Sequence, residues 1–175
     1  MAIDESLPFK PINIALLTIS DSRVPKDDTS GDILAGRIEG AGHTLVSREI
    51  SRDDKNEIAA HLHRWIDDEQ IDAIITTGGT GLTGRDVTPE ALDRVKDKNI
   101  PGFGELFRWL SFETIGTSTI QSRACAVISR GTYIFALPGS NGAVKDGWDK
   151  ILVHQLDSRH RPCNFVELMP RLRER

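Results

Sequence analysis

The stretch Ile74-Ile75-Thr76-Thr77-Gly78-Gly79-Thr80-Gly81-Leu82-Thr83-Gly84-Arg85-Asp86-Val87-Thr88-Pro89-Glu90 carries the signal that decides the fold. An apolar, β-branched run reads as a buried strand. It ends in four glycines within seven residues, and Asp86, Thr88 and Pro89 then open a helix. Glycines let a backbone take φ > 0 and let its N–H groups approach an anion closely. The helix N-terminus beside them adds partial positive charge. The chemistry so far is that of a phosphate site. Asp86 is an anion placed where a phosphate would sit, and two anions share a pocket comfortably only around a cation, for which Mg²⁺ is the usual choice.

Working outward, Ile12 to Ile19 reads as a first buried strand, followed by the polar run Ser20-Asp21-Ser22-Arg23. Asp27-Asp28 reads as a solvated loop pair, and Thr29 or Ser30 as the cap of a helix through about Ala41. His43 to Ser51 alternates, which predicts a strand with one wetter face. Asp53 or Asp54 caps the next helix, where Ile58, Leu62, Trp65 and Ile66 recur at helical spacing. Past the glycine loop, helices are expected at about 88–98 and 101–114, the second begun by Pro101. Strands are expected at 124–129 and 132–137, then a helix at about 141–155. Strand–helix alternation with short links predicts an α/β fold with helices on both faces of the sheet. Ligands in such sheets bind outside the carboxyl ends of the strands. Three strand ends here carry polar or glycine-rich loops: Ser20–Arg23, Gly78–Asp86 and Gly139–Gly142. Residues 1–10 read as a flexible leader, 11–168 as one domain, and 169–175 as a basic tail that is a solvated end or a subunit contact.

Other motifs fail on their details. Gly79-x-x-x-x-Gly84 has the P-loop spacing, but Arg85-Asp86 stands where Lys and Ser/Thr belong. Gly79-x-Gly81-x-x-Gly84 fits the dinucleotide fingerprint but follows the third strand rather than the first. The five histidines and two cysteines lack zinc spacing. Cys125 reads as core, and Cys163 is left open. A formal net charge of −4 with scattered basic residues argues against a nucleic-acid binder. No apolar run near 18 residues suggests a membrane span, so the chain reads as cytoplasmic with no membrane partner.

Thr77-Gly78-Gly79-Thr80-Gly81, Arg85-Asp86-Val87-Thr88-Pro89-Glu90-Ala91, Pro101-Gly102-Phe103-Gly104-Glu105 and Leu137-Pro138-Gly139-Ser140 together resemble the molybdenum cofactor biosynthesis family of MogA, MoaB and the gephyrin G domain. The runs at 115–124 and 161–165 resemble its MoaB branch. The resemblance implies a three-layer α/β fold, mostly parallel in its sheet, that binds molybdopterin, a pterin dithiolene with a terminal phosphate. Active members are adenylyltransferases that use ATP and Mg²⁺ to join AMP to that phosphate and release pyrophosphate. Some MoaB-branch members are non-catalytic and lack the acid of the glycine loop, which this chain retains as Asp86. The second family acid falls on Asp53, although Arg52 stands where the family usually has Pro, so Asp54 stays open. Asp86 and Asp53 are thereby the expected Mg²⁺ ligands, and the amides of Gly78, Gly79, Thr80 and Gly81 the expected phosphate donors. Ser20, Glu105, Gly139, Ser140 and Lys145 are further candidates around nucleotide or pterin. The family also implies a homo-oligomer, trimer or hexamer, and other molybdenum cofactor enzymes as partners. The apolar helix Phe103 to Phe112 is expected at a subunit contact.

Overall fold

The computed structural model describes residues 2–174. Strands β2 (Asn13–Ile19), β3 (Thr44–Ser51), β4 (Ala73–Thr77) and β7 (Thr132–Leu137) run parallel in the order β3-β2-β4-β7. Beyond β7 lie β6 (Cys125–Ser129) and β5 (Lys98–Asn99), each antiparallel to its neighbour. The central strands are apolar on both faces, as expected of strands covered on two sides. β3, at the edge, alternates half-buried and exposed positions, as its sequence does. Two further short strands, β1 (Ala2–Ile3) and β8 (His160–Arg161), pair antiparallel apart from the main sheet.

Helices α1 (Thr29–Gly40), α4 (Pro101–Ile115) and α5 (Asn141–Gly147) cover one face; their Leu34, Ile38, Phe103, Phe107 and Val144 share a core with Ile14, Leu16, Ile75 and Phe135. Helices α2 (Lys55–Ile66) and α3 (Thr88–Val95) cover the other, where Ile58, Leu62, Ala91 and Leu92 pack on Ala15, Leu17 and Ile74. This is a three-layer α/β fold with helices on both faces of a mostly parallel sheet. The register sets Ile19 opposite Ser51, Thr18 opposite Thr77 and Thr77 opposite Leu137. Four strands therefore end at one level, and the segments after Ile19, Ser51, Thr77 and Leu137 meet.

Several expectations are corrected. The expected loose leader is tied to the body at several points between Ile3 and Lys10. The Asp4 amide donates to the Arg159 carbonyl at 2.9 Å and that of Lys10 to Ser158 Oγ at 2.9 Å, and the Phe9 ring packs at a tilt against His43. Met1 lies outside the described residues. α3 ends at Val95, and Lys98–Asn99 pairs with β6 instead of finishing the helix. Cys125 is half-buried, packed at the margin of the core beneath α3. The segment expected to be one helix from 141 to 155 passes through a π-turn at Trp148–Leu152, which seats Trp148, Ile151 and Leu152 in the core. In the basic tail the Arg173 guanidinium reaches the Arg130 carbonyl and Arg171 pairs with Glu174; Arg175 lies outside the described residues. Among the described residues no helix is long and apolar enough to cross a membrane.

Candidate functional site

The convergent strand ends enclose a crevice of about 420 Å³, lined by Ile19, Ser20, Ser22, Arg23, Asp53, Gly78–Gly81, Asp86, Pro138 and Gly139. Its floor is the glycine loop. Gly78 and Gly79 take φ of 109° and 64°, a region that favours glycine. A Cβ on Gly78 would meet the Ile19 carbonyl oxygen at 2.2 Å, and one on Gly79 would meet Thr88 Oγ1 at 2.4 Å and Asp53 Oδ1 at 3.2 Å. The loop is thus pressed against β2 and α3 too closely for side chains. Thr88, fully buried, holds it there: its hydroxyl donates to the Gly78 carbonyl at 2.8 Å and its amide to the Gly79 carbonyl at 3.0 Å.

The four expected phosphate donors separate. The Gly78 N–H donates to the Leu137 carbonyl at 3.0 Å, so it is engaged and is withdrawn as a phosphate donor. The Gly81 amide lies near the Asp86 carboxylate and favours its ionised form, yet makes no hydrogen bond among the described residues. Gly79 and Thr80 keep their N–H groups without an acceptor among the described residues.

Both expected acids border this floor. Asp54, not Asp53, caps α2, accepting the amides of Asn56 at 2.8 Å and Glu57 at 3.0 Å. That leaves Asp53 to face the crevice. Its Oδ2 accepts the Asp21 amide at 3.0 Å, and the Asp53 amide donates back to Asp21 Oδ1 at 3.2 Å, so the loops after β2 and β3 clasp each other. Burial, then the negative charge of Asp21, pushes the Asp53 carboxyl above its ordinary value; Arg85 relieves this in part and Asp86 adds to it. Asp86 makes no cap to α3. Its Oδ2 accepts the amide and hydroxyl of Thr83 at 2.8 and 2.6 Å, which leaves Oδ1 free of such bonds. Burial opposes its ionisation, but the Thr83 hydroxyl, the Thr83 and Gly81 amides and the charge of Arg123 outweigh it and hold the carboxyl below its usual range.

Among the described residues no group of three or more His, Cys, Asp or Glu side chains forms a metal cage. Two carboxylates in one crevice, one of them made harder to ionise by burial and then by neighbouring negative charge, nevertheless suit Mg²⁺. That ion commonly takes one or two carboxylates and completes its shell with water and substrate phosphates.

The remaining candidates divide. Ser20 and Gly139 line the crevice, and Ser20 Oγ accepts the amides of Ser22 and Arg23 at 3.3 and 3.2 Å. Ser140 caps α5 and lines a second, mainly apolar cavity of about 300 Å³ with Phe107, Ser111, Ile115 and Asp146. This cavity shares Thr80, Gly81 and Pro138 with the crevice. Glu105 lies elsewhere, in a third depression beside Arg108 and Cys125, and Lys145 is exposed on α5 and lines neither cavity. The Arg108 guanidinium donates to the Ala124 carbonyl at 3.0 Å.

Sequence reading missed three supporting groups. Arg123 clamps the loop from outside: Nε donates to the Gly81 carbonyl at 2.7 Å, NH2 to the Asp86 carbonyl at 2.7 Å, and NH1 to Glu90. Arg85 neutralises Asp21 through a 2.9 Å bond from Nε. Asp28, expected in solvent, is fully buried and is itself the cap of α1, where Thr29 or Ser30 had been expected. Its Oδ1 accepts the Gly31 amide at 3.0 Å, and its Oδ2 accepts the Thr18 hydroxyl at 2.7 Å and Arg48 at 2.9 Å. The Asp-x-x-Gly spacing at a helix start was the available signal for that cap.

Comparison with known proteins identifies relatives of this chain. Residues 15–158 match the family described as a probable molybdopterin binding domain. The chain is 48% identical over 160 residues to molybdenum cofactor biosynthesis protein B of Escherichia coli K12, covering 91% of this chain and 94% of that one. It is 40% identical over 159 residues to the protein of the same name from Bacillus subtilis 168, covering 89% and 94%. Its fold is similar to the crystal structure of the tungsten cofactor synthesizing protein MoaB from Pyrococcus furiosus, with a TM-score of 0.78, 33% identity and coverage of 94% and 99%.

Proposed function

This chain belongs to the molybdenum cofactor biosynthesis family with the molybdopterin binding domain, and from that premise we propose that it adenylylates molybdopterin with ATP and Mg²⁺, releasing pyrophosphate. One observation carries the reading: Asp53, Asp86 and the unengaged amides of Gly79 and Thr80 border one crevice. An oxygen of the pterin's terminal phosphate attacks the α-phosphorus of ATP. The new P–O bond forms as the α–β anhydride bond breaks, and the electron pair leaves with pyrophosphate. That nucleophile is ionised at neutral pH, so no general base is required, which fits the lack of any histidine among the crevice's lining residues. The barrier is crowding of negative charge, lowered by positioning and by oriented donors. Asp53 and Asp86 would hold the Mg²⁺, whose role is to neutralise charge on the transferring phosphates. The Gly79 and Thr80 amides bind phosphate oxygens, and the adjoining apolar cavity receives a ring, pterin or adenine.

A homo-oligomer, trimer or hexamer, belongs to the same proposal. Within α4, Phe103 and Phe107 turn into the core, but Trp109 is 70% and Phe112 54% exposed, and Ile115 and Ile120 continue the apolar strip. A strip of this kind marks a contact surface. A light-scattering mass of one chain in solution removes that part.

The activity test is pyrophosphate release by purified protein with ATP, Mg²⁺ and molybdopterin. Release above the protein-free rate supports transfer. Molybdopterin binding without release places the chain in the second reading, a pterin-binding protein without catalysis.

A further inference from the structure

Arg23 supplies the one basic side chain among the residues that line the crevice, which otherwise presents two carboxylates, hydroxyls and main chain. Its guanidinium is anchored and only partly neutralised, by a long ion pair to the buried Asp28. NH1 donates to Ser30 Oγ at 2.5 Å and NH2 to the Gly139 carbonyl at 3.1 Å, both uncharged acceptors. The nearest carboxylate, Asp28, stands at 3.7 Å from NH1, and its oxygens are already taken by the Gly31 amide, the Thr18 hydroxyl and Arg48. A guanidinium has five N–H donors, so three remain after the two anchoring bonds. The anchors tie the loop after β2 to α1 and to the loop after β7, which fixes the fork before any ligand arrives. A planar, fixed, under-neutralised guanidinium is suited to phosphate oxygens.

We infer that Arg23 is a phosphate-binding residue, the basic member of a crevice that the acidic pair Asp53 and Asp86 also lines. The inference rests on the proposed reading only in taking the crevice to receive phosphate; it does not require transfer to occur. The crevice then has two halves, an acidic one that needs a cation and a basic one that binds phosphate without it.

The test is calorimetric titration of pyrophosphate onto the full chain in metal-free buffer containing a chelator. Arg23→Gln is expected to weaken binding about tenfold or more and to flatten its dependence on salt, because an attracting charge is gone. Arg23→Lys keeps the charge and is expected to fall between Gln and wild type. Asp53→Asn removes a repelling charge and is expected to tighten binding, which locates the probe in this crevice. The proposal is overturned if the wild type has no measurable pyrophosphate affinity, or if Arg23→Gln binds as the wild type does. It is also overturned if Asp53→Asn leaves binding unchanged, or if the Gln and Lys variants lose binding equally with a lowered melting temperature, the mark of a structural staple. Arg23-dependent binding in a protein that releases no pyrophosphate from ATP and molybdopterin would sink only the transfer reading.

Discussion

Asp28 and Asp53 both lie near the carboxyl ends of the parallel strands, and their surroundings drive them in opposite directions. Asp28 is fully buried, yet burial is outweighed by Arg48, the Thr18 hydroxyl and the Gly31 amide, and its carboxyl sits below the usual range. Asp53 is only half-buried, yet burial and the charge of Asp21 raise it. The first carboxylate has every partner it needs inside the protein and serves the fold. The second lacks a positive partner of its own, which is the state expected of a carboxylate that is to share a cation in the proposed reaction. Burial alone would rank the two the other way; the identity of the partners decides.

The largest expected effect lies on the structural side. Asp28→Ala empties the cap of α1, strips the Thr18 hydroxyl of its partner and leaves Arg48 with Asp32 alone, and should cost roughly 3 kcal/mol of unfolding free energy, read by urea denaturation. The pH dependence follows from the lowered carboxyl. Asp28 contributes its stability above its unfolded value of about 4, and that contribution is lost as pH falls through the lower folded value. The stability gap between wild type and Asp28→Asn should therefore be full at neutral pH and shrink in acid.

Next comes the functional side. Asp86→Asn should reduce adenylylation about a hundredfold, roughly 3 kcal/mol in the barrier, with the melting temperature nearly unchanged. Wild-type turnover in that variant would mean that Asp86 belongs with Asp28 as a structural group.

Arg123→Ala joins the two sides. It removes the bonds to the Gly81 and Asp86 carbonyls, so both readouts should move: about tenfold in turnover, and about 1 kcal/mol in stability after allowing for its partial exposure. A change in stability with turnover intact would show that the loop keeps its shape without the clamp.

The smallest expected effect on stability has the sharpest sign. Because Asp53 has a raised folded value, its charge works against the fold as pH rises through that value. Asp53→Asn should abolish most turnover and yet raise the metal-free melting temperature, by about 1–2 °C at neutral pH. A lowered melting temperature would place Asp53 with Asp28.

The central strands and the glycine loop were legible in the sequence because each signal is local: a β-branched run, a cluster of glycines, a Pro at a helix start. The leader was misread because its partners, Arg159 and Ser158, lie some 150 residues away. Asp28 was misread because a polar loop looks solvated until Arg48, from a neighbouring strand, is seen to cover it. The choice between Asp53 and Asp54 turned on which one the helix cap consumes, and adjacent acids cannot be told apart by spacing. Gly78 had the right residue type for a phosphate donor, but the strand pairing with Leu137 had already engaged its amide. Arg123 reaches the loop from 42 residues away, at a distance no local pattern encodes.

The most direct measurement is Mg²⁺ titration by calorimetry in the presence of ATP, on wild type, Asp53→Asn and Asp86→Asn. The expected result is a Mg²⁺-dependent gain in nucleotide affinity in the wild type that is lost or strongly reduced in both variants. Equal gains in all three proteins would contradict a shared cation between these carboxylates, and with it the account of the crevice.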